Sequence, residues 1–136
     1  MWKKIIGAIV LAGASMFAYM LKVAHENTVK THMLRLQGQP EQLRIFFISD
    51  VHARRISDAL LQQVRNVDFI IIGGDFCDER VTLAQVERNI QKLVQIAPTY
   101  FVWGNNDREL DEQQLVELFA RNNVRVLNNE NVRLTQ

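Results

Sequence analysis

Residues 68–78 read DFIIIGGDFCD and carry the clearest structural signal in the chain. Four apolar residues in succession are typical of a short strand that is buried on both faces of a sheet. Gly73 and Gly74 stop this run and allow a sharp backbone turn, and Asp75 follows at once. The segment therefore predicts a buried strand over residues 68–72 that delivers polar side chains at its carboxyl end.

The same arrangement occurs once before this segment and once after it. Residues 43–49 (LRIFFIS) form an apolar run that is followed by Asp50-Val51-His52. Residues 99–103 (TYFVW) form another, and Gly104-Asn105-Asn106-Asp107 follows. We therefore expect three buried strands, each ending in polar residues.

Helices are predicted between these strands. Ser57 and Asp58 offer an N-cap for a short helix that runs to about residue 65. Thr82 with Gln85, and Asp111 with Gln114, are capping patterns for two longer helices. Further strands are expected over residues 28–36, 124–127 and 132–134. Because strands and helices alternate, the fold class is α/β with a mostly parallel sheet.

The start of the chain predicts a membrane-spanning helix. Residues 5–21 carry no charge and span roughly 26 Å as a helix, within the lower range for crossing a bilayer. A cleaved signal peptide is the alternative, since Ala12-Gly13-Ala14 resembles a processing site. The anchor is favoured because the apolar run continues past that site, with the domain placed outside the cytoplasm by a narrow charge bias. The expected organisation is an anchor at 1–22, a connecting segment with a first strand at 23–42, and a domain at 43–136.

Composition excludes several classes of function. The 136 residues carry a formal net charge of +1, which gives no strong field for nucleic acid, and no nucleic-acid partner is predicted. A single cysteine excludes a disulfide framework and any site built on a CxxC motif.

The polar residues after the three strands are candidates for a metal site. The carboxyl ends of parallel strands lie along one edge of a sheet, so Asp50, His52, Asp75 and Asn105 are expected to converge there. A donor set of carboxylate, imidazole and amide groups suits Mn²⁺, Fe²⁺ or Zn²⁺.

These three segments resemble the signature of the calcineurin-like metallophosphoesterases, which runs D-x-H, G-D-x-x-[DE] and G-N-[HR]-[DE]. The chain is most similar to bacterial members with an N-terminal membrane anchor. The resemblance implies the N-terminal half of a four-layer α/β fold with two packed sheets, preceded by one transmembrane helix. It also implies two divalent metal ions and hydrolysis of phosphate mono- or diesters by a hydroxide that bridges them. By the same resemblance, Asp50 and His52 would bind the first metal, Asp75 would bridge both, and Asn105 would bind the second.

Other residues of the motifs receive roles by the same comparison. Asn106 and Asp107 are the candidates for a catalytic role, with Asp107 better placed to orient ligands than to bind metal, and Asp78 is expected to orient a ligand in the same way. Asn106 stands where the family carries His or Arg, and an amide cannot serve as a general acid. Arg54 and Arg55 are candidates for binding a substrate phosphate, although a solvated loop is the alternative.

The chain departs from the family pattern after the third motif. The family supplies further histidine ligands later in its sequence, whereas this chain has no histidine after His52. Four side chains are too few to bind two metals tightly, so we expect a truncated domain that holds one metal and leaves one sheet face open. A membrane-tethered domain without catalysis, which binds a metal or a partner, is the alternative function.

Overall fold

The computed structural model describes residues 2–24, 27–35, 42–64 and 66–133. The chain divides into two compact units, Met1–Thr31 and His32–Gln136. The first unit contains helix α1 (Trp2–Ala24). Residues Trp2–Val23 are long and apolar enough to cross a membrane, a criterion that a signal sequence near the N-terminus also meets. The fold is therefore preceded by one candidate membrane-spanning helix.

The second unit is built on a parallel sheet of four strands, described within residues 42–133. The strands follow one another in space as they do in sequence, in the order β1-β2-β3-β4. Every neighbouring pair is parallel, with Phe46 opposite Ile70 and Phe101 opposite Val126. The α/β prediction is confirmed. The strands are β1 (Ile45–Ile48), β2 (Phe69–Ile72), β3 (Thr99–Val102) and β4 (Val124–Leu127).

The helices begin where the sequence predicts. Helix α2 is Asp58–Leu61, α3 is Leu83–Val94 and α4 is Glu112–Arg121, and a 3-10 helix covers Asn106–Glu109. Helices α2, α3 and α4 each start after a side chain that accepts a backbone N–H of the first turn, which satisfies a donor that the helix leaves unpaired. These caps are Ser57, Thr82 and Asp111, which accept the N–H groups of Leu60, Gln85 and Gln114.

The hydrophobic core lies on one face of the sheet. Ile70, Ile72 and Phe101 point to this face and are fully buried. The apolar sides of α3 and α4 cover them, through residues that recur at helical spacing. The helix residues at 2% exposure or less are Val86, Ile90, Leu93, Leu115, Leu118 and Phe119.

The opposite face of the sheet is open among the described residues. Alternate residues of β1 are solvent-exposed, with Ile45 at 47% and Phe47 at 60%, and Val102 of β3 is exposed at 39%. Burial of all three strands on both faces, which the apolar runs predicted, is therefore wrong for β1 and for the end of β3. The helices cover one face only, so an apolar run does not guarantee that both faces of its strand are packed. On the face expected to lie open, β1 and the end of β3 are exposed, whereas Phe69 of β2 is buried.

Three predicted elements differ in the structure. Residues 28–35 form no strand, and residue 36 lies outside the described residues. Residues 132–133 form none either, and residue 134 lies outside the described residues. Neither segment pairs with the described sheet, and an extended segment without a partner has no ladder of hydrogen bonds to hold it. Helix α2 ends at Leu61 rather than near residue 65, which itself is not described.

Polar side chains of α3 hold the loop at residues 53–56, which follows His52. The carboxamide of Asn89, at 4% exposure, accepts the N–H of Ile56 at 3.0 Å and donates to the carbonyl of Arg54 at 2.9 Å. Gln85 Nε2 donates to the carbonyl of Ala53 at 2.8 Å. Two side chains of α3 therefore bind three backbone groups of the loop, and Asn89 alone binds two of these groups.

Replacement of Asn89 is expected to lower stability. Asn89→Ala leaves the Ile56 N–H and the Arg54 carbonyl without their partner, which we expect to lower the free energy of unfolding by about 1–3 kcal/mol. Chemical denaturation of the full chain in detergent measures this change. The control is Gln113→Ala, because the exposed side chain of Gln113 bonds to Glu117 one turn along α4. Equal stability losses in the two variants would contradict the role of Asn89.

Candidate metal centre

Three loops meet at the carboxyl ends of β1, β2 and β3, and backbone hydrogen bonds join them. The N–H of Asp50 donates to the carbonyl of Gly74 at 3.2 Å, and the N–H of His52 donates to the carbonyl of Asp75 at 3.1 Å. The N–H of Asn106 donates to Asp75 Oδ1 at 2.9 Å. Asp75 thus lies between the first and third loops and is bonded to both.

Three of the predicted metal ligands adopt a left-handed backbone conformation. The φ angles are 55° at Asp50, 49° at His52 and 49° at Asp75. Positive φ is uncommon outside glycine, and Asp and His tolerate it better than most residues. Such strain persists where the surrounding contacts fix it, and it concentrates at functional sites. The chain therefore turns sharply at each of these side chains.

Two glycines allow the second and third loops to approach closely. Gly74 has φ +88°, and a Cβ placed there would lie 2.7 Å from the backbone nitrogen of Gly104. A Cβ on Gly104 would overlap the backbone nitrogen and Oδ1 of Asp75. Both positions require the absence of a side chain, which explains why a glycine stands two residues after the end of β2 and of β3.

Asp50, His52 and Asp75 form a cluster that fits a divalent cation. Each offers one ligand atom, and these atoms lie within 4.8 Å of one another. His52 Nε2 lies 4.0 Å from Asp50 Oδ1, so this ring nitrogen faces the cluster. Asp75 Oδ2 accepts no hydrogen bond from the described residues, which leaves it available. Two carboxylates and one imidazole nitrogen are suitable ligands for Mn²⁺, Fe²⁺ or Zn²⁺.

The other ring nitrogen of His52 faces Asp78. His52 Nδ1 is buried and forms no hydrogen bond with the described residues, but it lies 3.2 Å from Asp78 Oδ2. The Asp78 carboxylate is 1% exposed and also receives the guanidinium of Arg80. Hydrogen bonding from the Arg80 side chain holds the pKa of Asp78 below its usual range. Asp78 is therefore an ionised, buried carboxylate beside the candidate ligand His52.

Asp107 is fully buried and joins the second loop to the third. Its Oδ2 accepts the N–H groups of Asp75 at 2.9 Å and Gly104 at 2.8 Å, and its Oδ1 accepts the N–H of Cys77 at 2.9 Å. Three backbone donors satisfy a carboxylate that burial would otherwise penalise strongly. This position suits the orienting role expected for Asp107, and its assignment as catalytic stays a prediction.

Asn105 and Asn106 lie at the start of the 3-10 helix, beside the cluster. Asn105 is exposed and donates from Nδ2 to Asn106 Oδ1 at 2.7 Å. Asn106 Nδ2 donates to Glu109 Oε1 at 3.1 Å. Metal binding by Asn105 and a catalytic role for Asn106 stay predictions, although the Asn106 N–H contacts Asp75 directly.

Arg54 and Arg55 are exposed, and their side chains form no hydrogen bond or ion pair with the described residues. Their backbone is fixed by Asn89, two to three residues after His52. Binding of a substrate phosphate by these arginines stays a prediction.

The sequence reasoning missed two residues that organise the site. Asn89 occupies a core position of α3, where a polar side chain interrupts the spacing of Val86, Ile90 and Leu93, and this interruption was a usable signal. Arg80 follows the second motif by two residues and pairs with Asp78, for which the pattern gave no signal.

The sequence of this chain is similar to those of known proteins. Residues 43–136 match the sequence model of the calcineurin-like phosphoesterase superfamily domain. A Bacillus subtilis (strain 168) protein named "Uncharacterized protein YpbG" is 42% identical over 135 residues, which cover 95% of this chain and 52% of that protein. "Uncharacterized metallophosphoesterase YkoQ" of the same organism is 30% identical over 87% of this chain and 50% of its own length. The chain thus spans about half the length of these curated relatives. No solved structure matches it.

Asp107→Asn is expected to loosen the joined loops. One oxygen becomes an NH₂ group that faces backbone N–H donors, so we expect the free energy of unfolding to fall by about 2–4 kcal/mol. The single cysteine provides a second measurement, because burial and the neighbouring Asp107 raise the pKa of the Cys77 thiol and keep it unreactive. Thiol labelling should be faster in the variant than in the parent chain.

Asp111→Asn is the matched control for this experiment. Exposed Asp111 accepts the Gln114 N–H at the start of α4, and Asn caps helices about as well as Asp. We expect no measurable change in its stability or in labelling of Cys77. A free energy of unfolding of Asp107→Asn within about 0.5 kcal/mol of the parent value would contradict the role of Asp107 in joining the two loops.

Proposed function

The chain belongs to the calcineurin-like phosphoesterase superfamily, and from that membership we propose that it is a metal-dependent phosphoesterase. The cluster of Asp50, His52 and Asp75 at the converging strand ends carries this proposal. A relative that is 30% identical to this chain over the aligned residues is named a metallophosphoesterase, which supports the same class of reaction.

We assign the metal ligands as follows. Asp50, His52 and Asp75 would hold one divalent ion, and Asp75 together with Asn105 would contribute to holding a second. Bound divalent ions would activate a water molecule and neutralise the charge that develops on phosphoryl oxygens. The neutral carboxamide of Asn105 adds a ligand without adding negative charge. With these four side chains, the first ion is bound more tightly than the second.

Residues of the chain itself position the reacting groups. The Asn106 N–H holds Oδ1 of Asp75, which leaves Oδ2 available for a metal ion. The Asn106 carboxamide can donate a hydrogen bond to a leaving group, but it cannot supply a proton. Arg54 and Arg55 extend from a fixed backbone and are available to bind a phosphate monoester or diester.

We propose that α1 anchors the protein in a cell membrane by a single span, with the domain outside the cytoplasm. Residues 5–21 are uncharged, and Lys3, Lys4 and Lys22 flank them, as is typical of a spanning helix whose ends lie in the interfacial regions. The substrate would then be a phosphoester that reaches the membrane surface from that side.

A membrane-tethered domain without turnover is the second candidate. The three clustered ligands suffice for one ion, and the open face around Ile45, Phe47 and Val102 offers an apolar surface of the kind that contacts partners. Binding stoichiometry separates the two functions. Two bound ions with hydrolysis of a phosphodiester support the enzyme, whereas one ion or none without hydrolysis supports the inert domain.

Removal of a clustered ligand is expected to weaken metal binding. His52→Ala removes one of the three donors and Asp75→Asn removes the negative charge of another, so we expect each variant to lower the affinity for Mn²⁺ by at least about 100-fold. Isothermal titration calorimetry on the full chain in detergent measures this loss. Glu117→Gln, which removes an exposed carboxylate of α4, is the control and should bind Mn²⁺ like the parent. Unchanged affinity in both ligand variants would exclude this cluster as the metal site.

The identity of residue 106 leads to a prediction about the leaving group. Because Asn106 cannot protonate a departing alkoxide, we expect the metal-loaded chain to hydrolyse aryl phosphoesters faster than alkyl ones. Asn106→His should narrow the ratio of the two rates by accelerating the alkyl ester. Equal rates for the two esters in the parent chain would contradict the assignment.

A further inference from the structure

Asp78 lies between a candidate metal ligand and an arginine. Its side chain is 1% exposed, and its Oδ2 is 3.2 Å from His52 Nδ1 and 2.5 Å from Arg80 Nη2. A buried carboxylate oxygen with two such neighbours links them directly. Any movement of this carboxylate would therefore change the surroundings of the His52 ring.

Arg80 holds the carboxylate by both oxygens. Its Nε lies 3.1 Å from each of Oδ1 and Oδ2, and the backbone N–H of the same residue donates to Oδ1 at 2.9 Å. A fork of this kind fixes both the position and the plane of a carboxylate. The guanidinium of Arg80 is itself largely exposed, so its contact with Asp78 is not a consequence of burial.

Among the described residues, no hydrogen bond joins the Asp78 carboxylate to the side chain of Asn106. Asn106 bonds instead to Asn105 and Glu109. The described partners of the Asp78 carboxylate are therefore Arg80 and His52. His52 Nδ1 is buried and lacks a hydrogen bond among the described residues, and Asp78 Oδ2 lies 3.2 Å from it.

We propose that Arg80 is a positioning residue of the metal centre that acts through Asp78. Arg80 fixes the carboxylate so that Asp78 Oδ2 receives the Nδ1–H of His52, which leaves Nε2 unprotonated on the side of Asp50 and Asp75. This inference rests on the proposed function, since it supplies the orientation that His52 needs as a ligand. Partners of this kind commonly change metal affinity by about 10- to 100-fold when they are removed.

The first measurement needs no metal, and it is made on the parent chain. Nitrogen-15 NMR of the full, metal-free chain in detergent identifies which ring nitrogen of His52 carries the proton, with the signal assigned by its absence in His52→Gln. We expect the proton on Nδ1 in the neutral ring. A proton on Nε2 in the parent chain would overturn the inference.

Variants then test the part played by Arg80. In Arg80→Ala we expect a mixture of the two His52 tautomers and a loss of Mn²⁺ affinity of about 10- to 100-fold. Arg80→Lys keeps the charge but not the fork, so it should recover only part of this loss. The parent tautomer and parent affinity in Arg80→Ala would overturn the inference.

Arg121→Ala is the matched control. Arg121 forms an equivalent two-point pair with Glu87, at 2.8 and 3.0 Å, which joins α4 to α3. This variant should lower stability without changing the His52 tautomer or the Mn²⁺ affinity. Equal changes of tautomer and affinity in both arginine variants would reduce Arg80 to a general structural role and overturn the inference.

The two readouts separate this inference from the proposed function. If the parent chain binds no Mn²⁺, the proposed metal centre fails, while the tautomer of metal-free His52 still decides whether Asp78 and Arg80 orient the ring. If Mn²⁺ binds with the expected ligands but the tautomer is Nε2–H, the metal centre stands and the role of Arg80 fails.

Discussion

The site depends on one buried carboxylate that joins two loops. Asp107 has no contact with solvent, and it accepts backbone N–H groups from Asp75, Cys77 and Gly104. A carboxylate in this position would be very unfavourable without those donors, and the donors would be unpaired without the carboxylate. The close approach of Gly74 to Gly104 and the placement of Asp75 both follow from this mutual dependence.

Because these loops are fixed, unusual backbone geometry at the candidate ligands can persist. Asp50, His52 and Asp75 all turn in the left-handed region, and hydrogen bonds between their loops hold them there. A left-handed residue reverses the chain direction over a short distance, which brings two side chains that follow β1 and one that follows β2 to one place. Asp and His can bind a metal and also tolerate a positive φ angle better than most residues. The same side chains can therefore act as ligands at positions where the backbone turns sharply.

Much of this architecture could be predicted from local sequence. The four strands, the three caps and the convergence of the motifs follow from apolar runs, hydrogen-bonding side chains and the geometry of parallel sheets. The extra strand at residues 28–36 was wrong over the described part, because a β-type pattern does not say whether a partner strand is present. Exposure of Phe47 could not be read from its neighbours either, since it depends on what covers the sheet. Arg80 and Asn89 act through side chains that meet only in the folded chain, and no local pattern reports such meetings.

The open sheet face has a thermodynamic consequence. Ile45, Phe47 and Val102 already contact water in the folded chain, so unfolding adds less new apolar surface there than in a sheet covered on both sides. The heat capacity of unfolding grows with the apolar surface that becomes hydrated. The stability of this unit therefore varies with temperature along a flatter curve than that of a fully enclosed domain of equal length, and its hydrophobic contribution weakens less on cooling.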